Sequence, residues 1–149
     1  MTRLIALLFT VLLPFCANAQ TDATVHTAPG PVQAADVVLA DLLYLNRAVI
    51  VFADSPNDPN FIRQMELLAR DPTQLTDRDA LLIVDTDPDA RSDIRLKFRP
   101  RGFSLVLMEK DGTAVIRKPL PWELREITNA IDKFPSRRQE VLERNPAGR

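Results

Sequence analysis

"AVIVFADSPNDPNFIRQMELL", residues 48 to 68, joins an unbroken apolar run, a turn and an amphipathic segment. The run "AVIVFA" is rich in β-branched and aromatic residues and has no polar alternation, which suits a strand buried on both faces. Asp58 is a good helix N-cap and Pro59 fits the first helical position. A helix is predicted from about Pro59 to Arg70, with Phe61, Ile62, Met65, Leu68 and Ala69 on one face. Between strand and helix lie Ser55, Pro56, Asn57, Asp58 and Pro59.

The same alternation continues towards the C-terminus. "ALLIV", residues 80 to 84, reads as a second buried strand. Asp87-Pro88 repeats the cap-then-proline start, opening a short helix with Ala90, Ile94 and Phe98 at four-residue spacing. "FSLVLM", residues 103 to 108, is a third apolar strand, and Asp111-Gly112 is a hairpin signal. "TAVIRK" alternates more and reads as an edge strand. Leu124, Ile127, Ile131 and Phe134 stripe a last long helix, stopped by Pro135. Ser136 and Gln139 fit a capping box for a short terminal helix.

"DVVLADLLYLNR", upstream of the first strand, fits helix or strand equally. The order β-α-β-α-β-β-α plus a tail helix implies an α/β fold: a mixed, mostly parallel sheet of about four strands with helices on both faces. That is the element order of the thioredoxin-like fold. No internal repeat or second domain interrupts it.

The first residues read as a targeting segment. Arg3, the apolar run Leu4 to Phe15 and Ala17-Asn18-Ala19 match the three parts of a secretory signal peptide. The run is shorter than the roughly 20 residues that span a bilayer. Cys16 closes the run, but Phe15 before it is too bulky for a lipoprotein box. Cleavage between Ala19 and Gln20 is therefore expected, giving an exported protein, periplasmic or extracellular. It removes Cys16, the single cysteine, so the mature chain has neither thiol nor disulfide. It also removes Arg3, moving the formal charge from −1 to −2. A nearly neutral chain of mixed charge argues against a general binder of nucleic acid or anionic membranes. Residues 20–35, with Pro29, Gly30 and Pro31, read as a flexible leader. The domain is expected over 36–144, with 145–149 as a tail.

"RAVIVFADSPNDPNF", "FSLVLMEKDGTAVIRK" and "AIDKFPSRRQEVLER" resemble the bacterial family called domain of unknown function 4174, over roughly residues 36 to 144. The closing helix ending in Ile131-Asp132, followed by Pro135 and Arg137-Arg138, is the most specific part. The resemblance implies a fold similar to that of thioredoxins and peroxiredoxins. Related domains occur in animal extracellular sushi-repeat proteins, which fits export. The family has no established activity, so no catalytic residue carries over.

Thiol exchange needs a thiolate. Laid on a thioredoxin pattern, the two sulfur positions fall near Ser55-Pro56 and Asp58-Pro59, where none is available. The cis-proline place before the third core strand is nearest Phe103, with Pro100 three residues earlier. The helix start after the turn is a poor anion site, because Pro59 lacks a donor and the Asp58 carboxylate repels anions. No metal or other cofactor is expected. His26, the one histidine, lies in the leader. Asp85, Asp87 and Asp89 lack the glycine and glutamate of a calcium loop, with Ala90 and Leu96 in those places. Ser55 and Ser104 have no histidine base. A Ser–Lys pair stays open, although Lys97, Lys110, Lys118 and Lys133 read as solvated.

The candidate binding residues are Ser55, Asn57, Asp58, Phe103, Ser104, Trp122, Arg137 and Arg138. A basic group, Arg91, Arg95, Lys97, Arg99 and Arg101, reads as a solvated face or as a docking patch for an acidic partner. Trp122 reads as a packed helix-start residue or an exposed anchor. The leading expectation is a non-catalytic binding or scaffold module whose partner is an exported or envelope protein. The alternatives are a cysteine-independent enzyme using polar groups in the former redox cleft, and a structural envelope component.

Overall fold

The computed structural model describes residues 30–145. The proposed signal peptide with its Ala19–Gln20 cleavage site, Cys16 and most of the leader lie outside these residues.

Five strands form one sheet: β1 (Val32–Gln33), β2 (Arg47–Phe52), β3 (Ala80–Asp85), β4 (Ser104–Met108) and β5 (Ala114–Lys118), in the order β1-β3-β2-β4-β5. β1 and β2 run parallel to β3, while β4 runs antiparallel to β2 and β5. The fifth strand, β1, comes from residues expected in the leader. It has two residues, too few to show a period. Ala34, in the 3₁₀ turn Ala34–Asp36 that follows, is already buried.

Alternation along the central strands fills two cores. Val49, Val51, Leu105 and Leu107 face one side, where they meet Leu68, Leu75, Leu124, Ile127 and Ile131. Those residues come from α2 (Pro59–Leu68), the single-turn α3 (Thr73–Thr76) and α5 (Leu124–Ile131). Ile50, Phe52, Val106 and Met108 face the other side, against Leu42, Ile94 and Phe98. These belong to the single-turn α1 (Leu39–Leu42) and to α4 (Asp93–Phe98). The sheet is thus covered on both faces, as the continuous apolar runs require. The stretch that fits helix or strand equally forms α1, and β5 is the expected edge, with Val115 and Arg117 exposed.

Four local expectations need correction. The buried face of α2 is Gln64, Leu67 and Leu68, with Phe61 and Met65 half-buried; Ile62 is 46% exposed. Gln64 takes an inward position because its amide bonds both backbone groups of Trp122. The segment after Asp87 is two elements, a 3₁₀ turn Pro88–Ala90 and then α4, because Ser92 supplies a second cap by accepting from the Arg95 N–H. The last long helix stops at Ile131 rather than at Pro135. Pro135 instead opens α6 (Pro135–Arg144), whose N-cap is Phe134. No capping box forms there. Ser136 turns inward to Arg47 and Glu109, and Gln139 bonds Glu143.

Candidate functional site

The register separates the candidate residues into two groups, with Trp122 apart from both. Phe52, the last residue of β2, pairs with Ser104, the first of β4. The turn Asp54–Asp58 and the segment Gly102–Ser104 therefore share one end of the sheet. Arg47, the first residue of β2, lies at the other end, roughly 17 Å away at strand rise. Arg137 and Arg138 belong to that second end, and Trp122 borders the first core beside β5 and α2.

At the first end the turn satisfies itself. The Asp58 carboxylate accepts hydrogen bonds from the N–H groups of Asn60 (2.8 Å) and Phe61 (3.2 Å). The Ser55 hydroxyl accepts from Asn57 N–H at 3.1 Å, and Asp58 N–H donates to the Ser55 carbonyl at 3.2 Å. Pro59 carries no donor. Asn57 is exposed, whereas Phe103 and Ser104 are buried.

Behind this turn lies a buried ion pair. Arg95 donates from Nε to Asp85 at 2.9 Å and from one Nη to the carbonyls of Ala53 (2.7 Å) and Asp85 (3.0 Å). Ser92 donates its hydroxyl to the other Asp85 oxygen at 2.7 Å. Asp54 reaches the same guanidinium at 3.5 Å. Arg95 therefore leaves the solvated basic group in which sequence spacing placed it. Its task is to tie the end of β2 to β3 and α4. Asp85 is taken by this pair and Asp87 caps the 3₁₀ turn through Asp89 N–H. Among the described residues no group of three or more acidic, histidine or cysteine side chains is placed to hold a metal ion.

Beside the turn opens a cleft of about 400 Å³, lined by Arg99, Arg101, Phe103, Ser104, Arg117 and Pro119. No carboxylate lines it. Arg117 is held there by donating to the Phe98 carbonyl, the last of α4, at 2.8 Å.

The second end is a polar lock. Arg47 is fully buried and contacts Glu140 at 3.0 and 3.2 Å, the Ser136 hydroxyl, the Arg78 carbonyl at 2.9 Å and Glu109 at 3.3 Å. Ser136 donates to Glu109 at 2.6 Å, and Lys110 reaches Glu140 at 2.7 Å. Burial opposes ionisation of Glu140, but hydrogen bonds from Arg47 and Lys110, and their charges, outweigh it and lower its pKa to about 2. Arg78 grips Asp132 at 2.8 and 2.9 Å and, despite burial, holds that carboxyl below its ordinary range, with Arg137 adding to the effect. Arg137 is mostly buried between Asp132 (3.6 Å) and Glu140 (3.5 Å), whereas Arg138 is exposed. Ser136 and Glu140 thus attach α6, a helix with no buried residue, to Arg47 of β2, while Arg137 pairs within the closing segment.

Trp122 is half-buried against the first core. Its backbone N–H donates to Gln64 Oε1 at 2.8 Å and its carbonyl accepts from Gln64 Nε2 at 3.1 Å. Lys118 lies 4.5 Å above its ring. Sequence reasoning missed Arg47, Gln64, Glu109, Arg117 and Glu140. A charged residue abutting an apolar strand is the signal for Arg47 and Glu109.

A family model, Domain of unknown function (DUF4174), matches residues 38–140. No curated protein matches the chain. Among solved structures, chloroplastic thioredoxin z is similar, with a TM-score of 0.53 at 16% identity over 73% of this chain and 100% of that one. Reduced desulfothioredoxin from Desulfovibrio vulgaris Hildenborough matches with a TM-score of 0.46 at 17% identity, over 69% of this chain and 97% of that one. The first of these likenesses shows that the fold is thioredoxin-like.

Proposed function

The chain belongs to the DUF4174 family, and from that premise we propose that it is an exported, non-catalytic binding module built on the thioredoxin-like fold. The observation that carries this reading is the closed turn before α2. Asp58 occupies the Asn60 and Phe61 donors, and Pro59 offers none. Residues 30–145 contain no cysteine, so this turn supplies no thiolate for disulfide exchange. The basic cleft beside it remains open to a ligand. Export rests on Arg3, the short apolar run and Ala17-Asn18-Ala19. The expected partner is an exported or envelope protein or a ligand of that compartment.

The purified exported protein should neither reduce insulin disulfides nor consume peroxide above a buffer blank. Its intact mass should correspond to a chain starting at Gln20. Turnover in either assay overturns the binding-module reading, and a secreted species that retains Cys16 overturns the export reading.

A further inference from the structure

We propose that the cleft between the α4–β4 loop and β5 binds a small ligand through a carboxylate or phosphate group, an inference that rests on reading the domain as a binding module. Three exposed arginines, Arg99, Arg101 and Arg117, line about 400 Å³ together with Ser104. None of the three has a carboxylate within ion-pair distance among the described residues. That sets them apart from Arg47, Arg78 and Arg95, which are paired. The nearby Asp54 is turned to Arg95. Arg117 is positioned by the last carbonyl of α4 and keeps most of its five N–H groups for another acceptor. Forked guanidinium donors suit planar carboxylates and phosphates. Phe103 and Pro119 provide an apolar wall for the rest of the ligand.

Arg99 directly follows Phe98, the last residue of α4. It caps α4 in the left-handed conformation, with φ of 46°. Glycine is the usual residue there, and an arginine carries a steric penalty. Arg91 adopts the same conformation with φ of 49°, so the backbone at Arg99 bears on stability rather than on binding.

The test is an amide NMR titration of the purified protein at low ionic strength, with inorganic phosphate and separately with citrate. Saturable shifts confined to the amides of residues 99, 101–104 and 117 are expected with at least one, and none with sodium chloride at matched ionic strength. A response to one oxyanion alone supports the site and identifies its chemistry. Arg101→Gln and Arg117→Gln should each weaken binding by about fivefold, the scale of an exposed charge pair. Arg99→Gly should weaken it similarly while raising the melting temperature, because glycine accepts the left-handed backbone. Absence of saturable shifts with both anions, or wild-type affinity in all three variants, overturns the proposal. Such a failure leaves the binding-module reading standing, because that reading is tested separately by thiol and peroxide turnover.

Discussion

The guanidinium of Arg47 meets both carboxylate oxygens of Glu140, at 3.0 and 3.2 Å, across 93 residues of sequence. One end of that contact is the first residue of the central strand and the other is on the last helix. The contact closes the chain without apolar burial by α6. Removing Arg47 leaves the buried Glu109 without its cation, while Glu140 keeps Lys110 and Arg137. Arg47→Ala should therefore cost about 3–5 kcal/mol, the range for breaking a buried pair. Glu140→Ala should cost less, because Glu109 still answers Arg47. Urea melts of both single variants and the double variant should give a coupling of about 1–3 kcal/mol. Additive losses would mean that the two side chains do not act as a pair.

The same contact sets a pH dependence. Glu140 ionises at about 2 in the folded chain, below its ordinary value near 4.5. A carboxyl depressed by folding stabilises above its unfolded pKa and loses that contribution as pH falls through the folded one. Stability should be fully present above pH 4.5 and decline from there towards pH 2. The decline is on the order of 2 kcal/mol, below the full shift because the side chain is partly exposed. Glu140→Gln should flatten that limb, leaving the contributions of Asp132, Asp71 and Asp111, whose shifts have the same sign. Denaturant melts at pH 2.5, 4 and 6 measure it. An unchanged acid limb in Glu140→Gln would assign the effect elsewhere.

What the sequence showed and what it hid follow from the range of the interactions. Residues 48–53, 80–84 and 103–108 announced themselves because a strand buried on both faces needs no partner to be recognised as apolar. Asp58-Pro59 was equally plain, since a cap acts within three residues. β1 was hidden because two residues carry no period. Ser136 was misread because its local spacing matched a capping box while its real partners, Arg47 and Glu109, lie 89 and 27 residues away. Arg95 looked solvated beside Lys97 and Arg99, because only the folded chain brings Asp85 and the Ala53 carbonyl to it. At the candidate site, the turn residues and Phe103–Ser104 were found, but Arg117 was not, as its arrival depends on the β4–β5 register.

The turn before α2 gives a prediction with a definite order. Asp58→Ala should cost about 1 kcal/mol, the usual loss of an N-cap. Asp58→Asn should cost much less, because asparagine accepts the same two backbone donors. Ser55→Ala should be close to neutral, since its hydroxyl serves one exposed N–H. Denaturant melts of the three variants give the order. A deletion strain with a phenotype adds a second reading: an Asp58→Asn protein that folds normally yet fails to complement would make the turn a functional site.

Gln64 and Trp122 test whether the tryptophan is part of the scaffold. The Gln64 amide, fully buried, satisfies both the N–H and the carbonyl of Trp122, 58 residues away. It thereby fixes the approach to α5 against α2. Gln64→Leu preserves volume and burial but leaves both backbone groups without their partner, which should cost about 1–3 kcal/mol. Gln64→Glu keeps an acceptor for the N–H but sets a carboxylate against the carbonyl. It should therefore destabilise more at neutral pH than in mild acid, where protonation restores a donor. The chain has one tryptophan, so its emission reports this site alone. Both variants should shift Trp122 emission to the red as the loosened segment admits water. Gln64→Leu melting with wild-type stability and unchanged emission would show that the ring is held by its apolar neighbours and Lys118 rather than by the Gln64 amide.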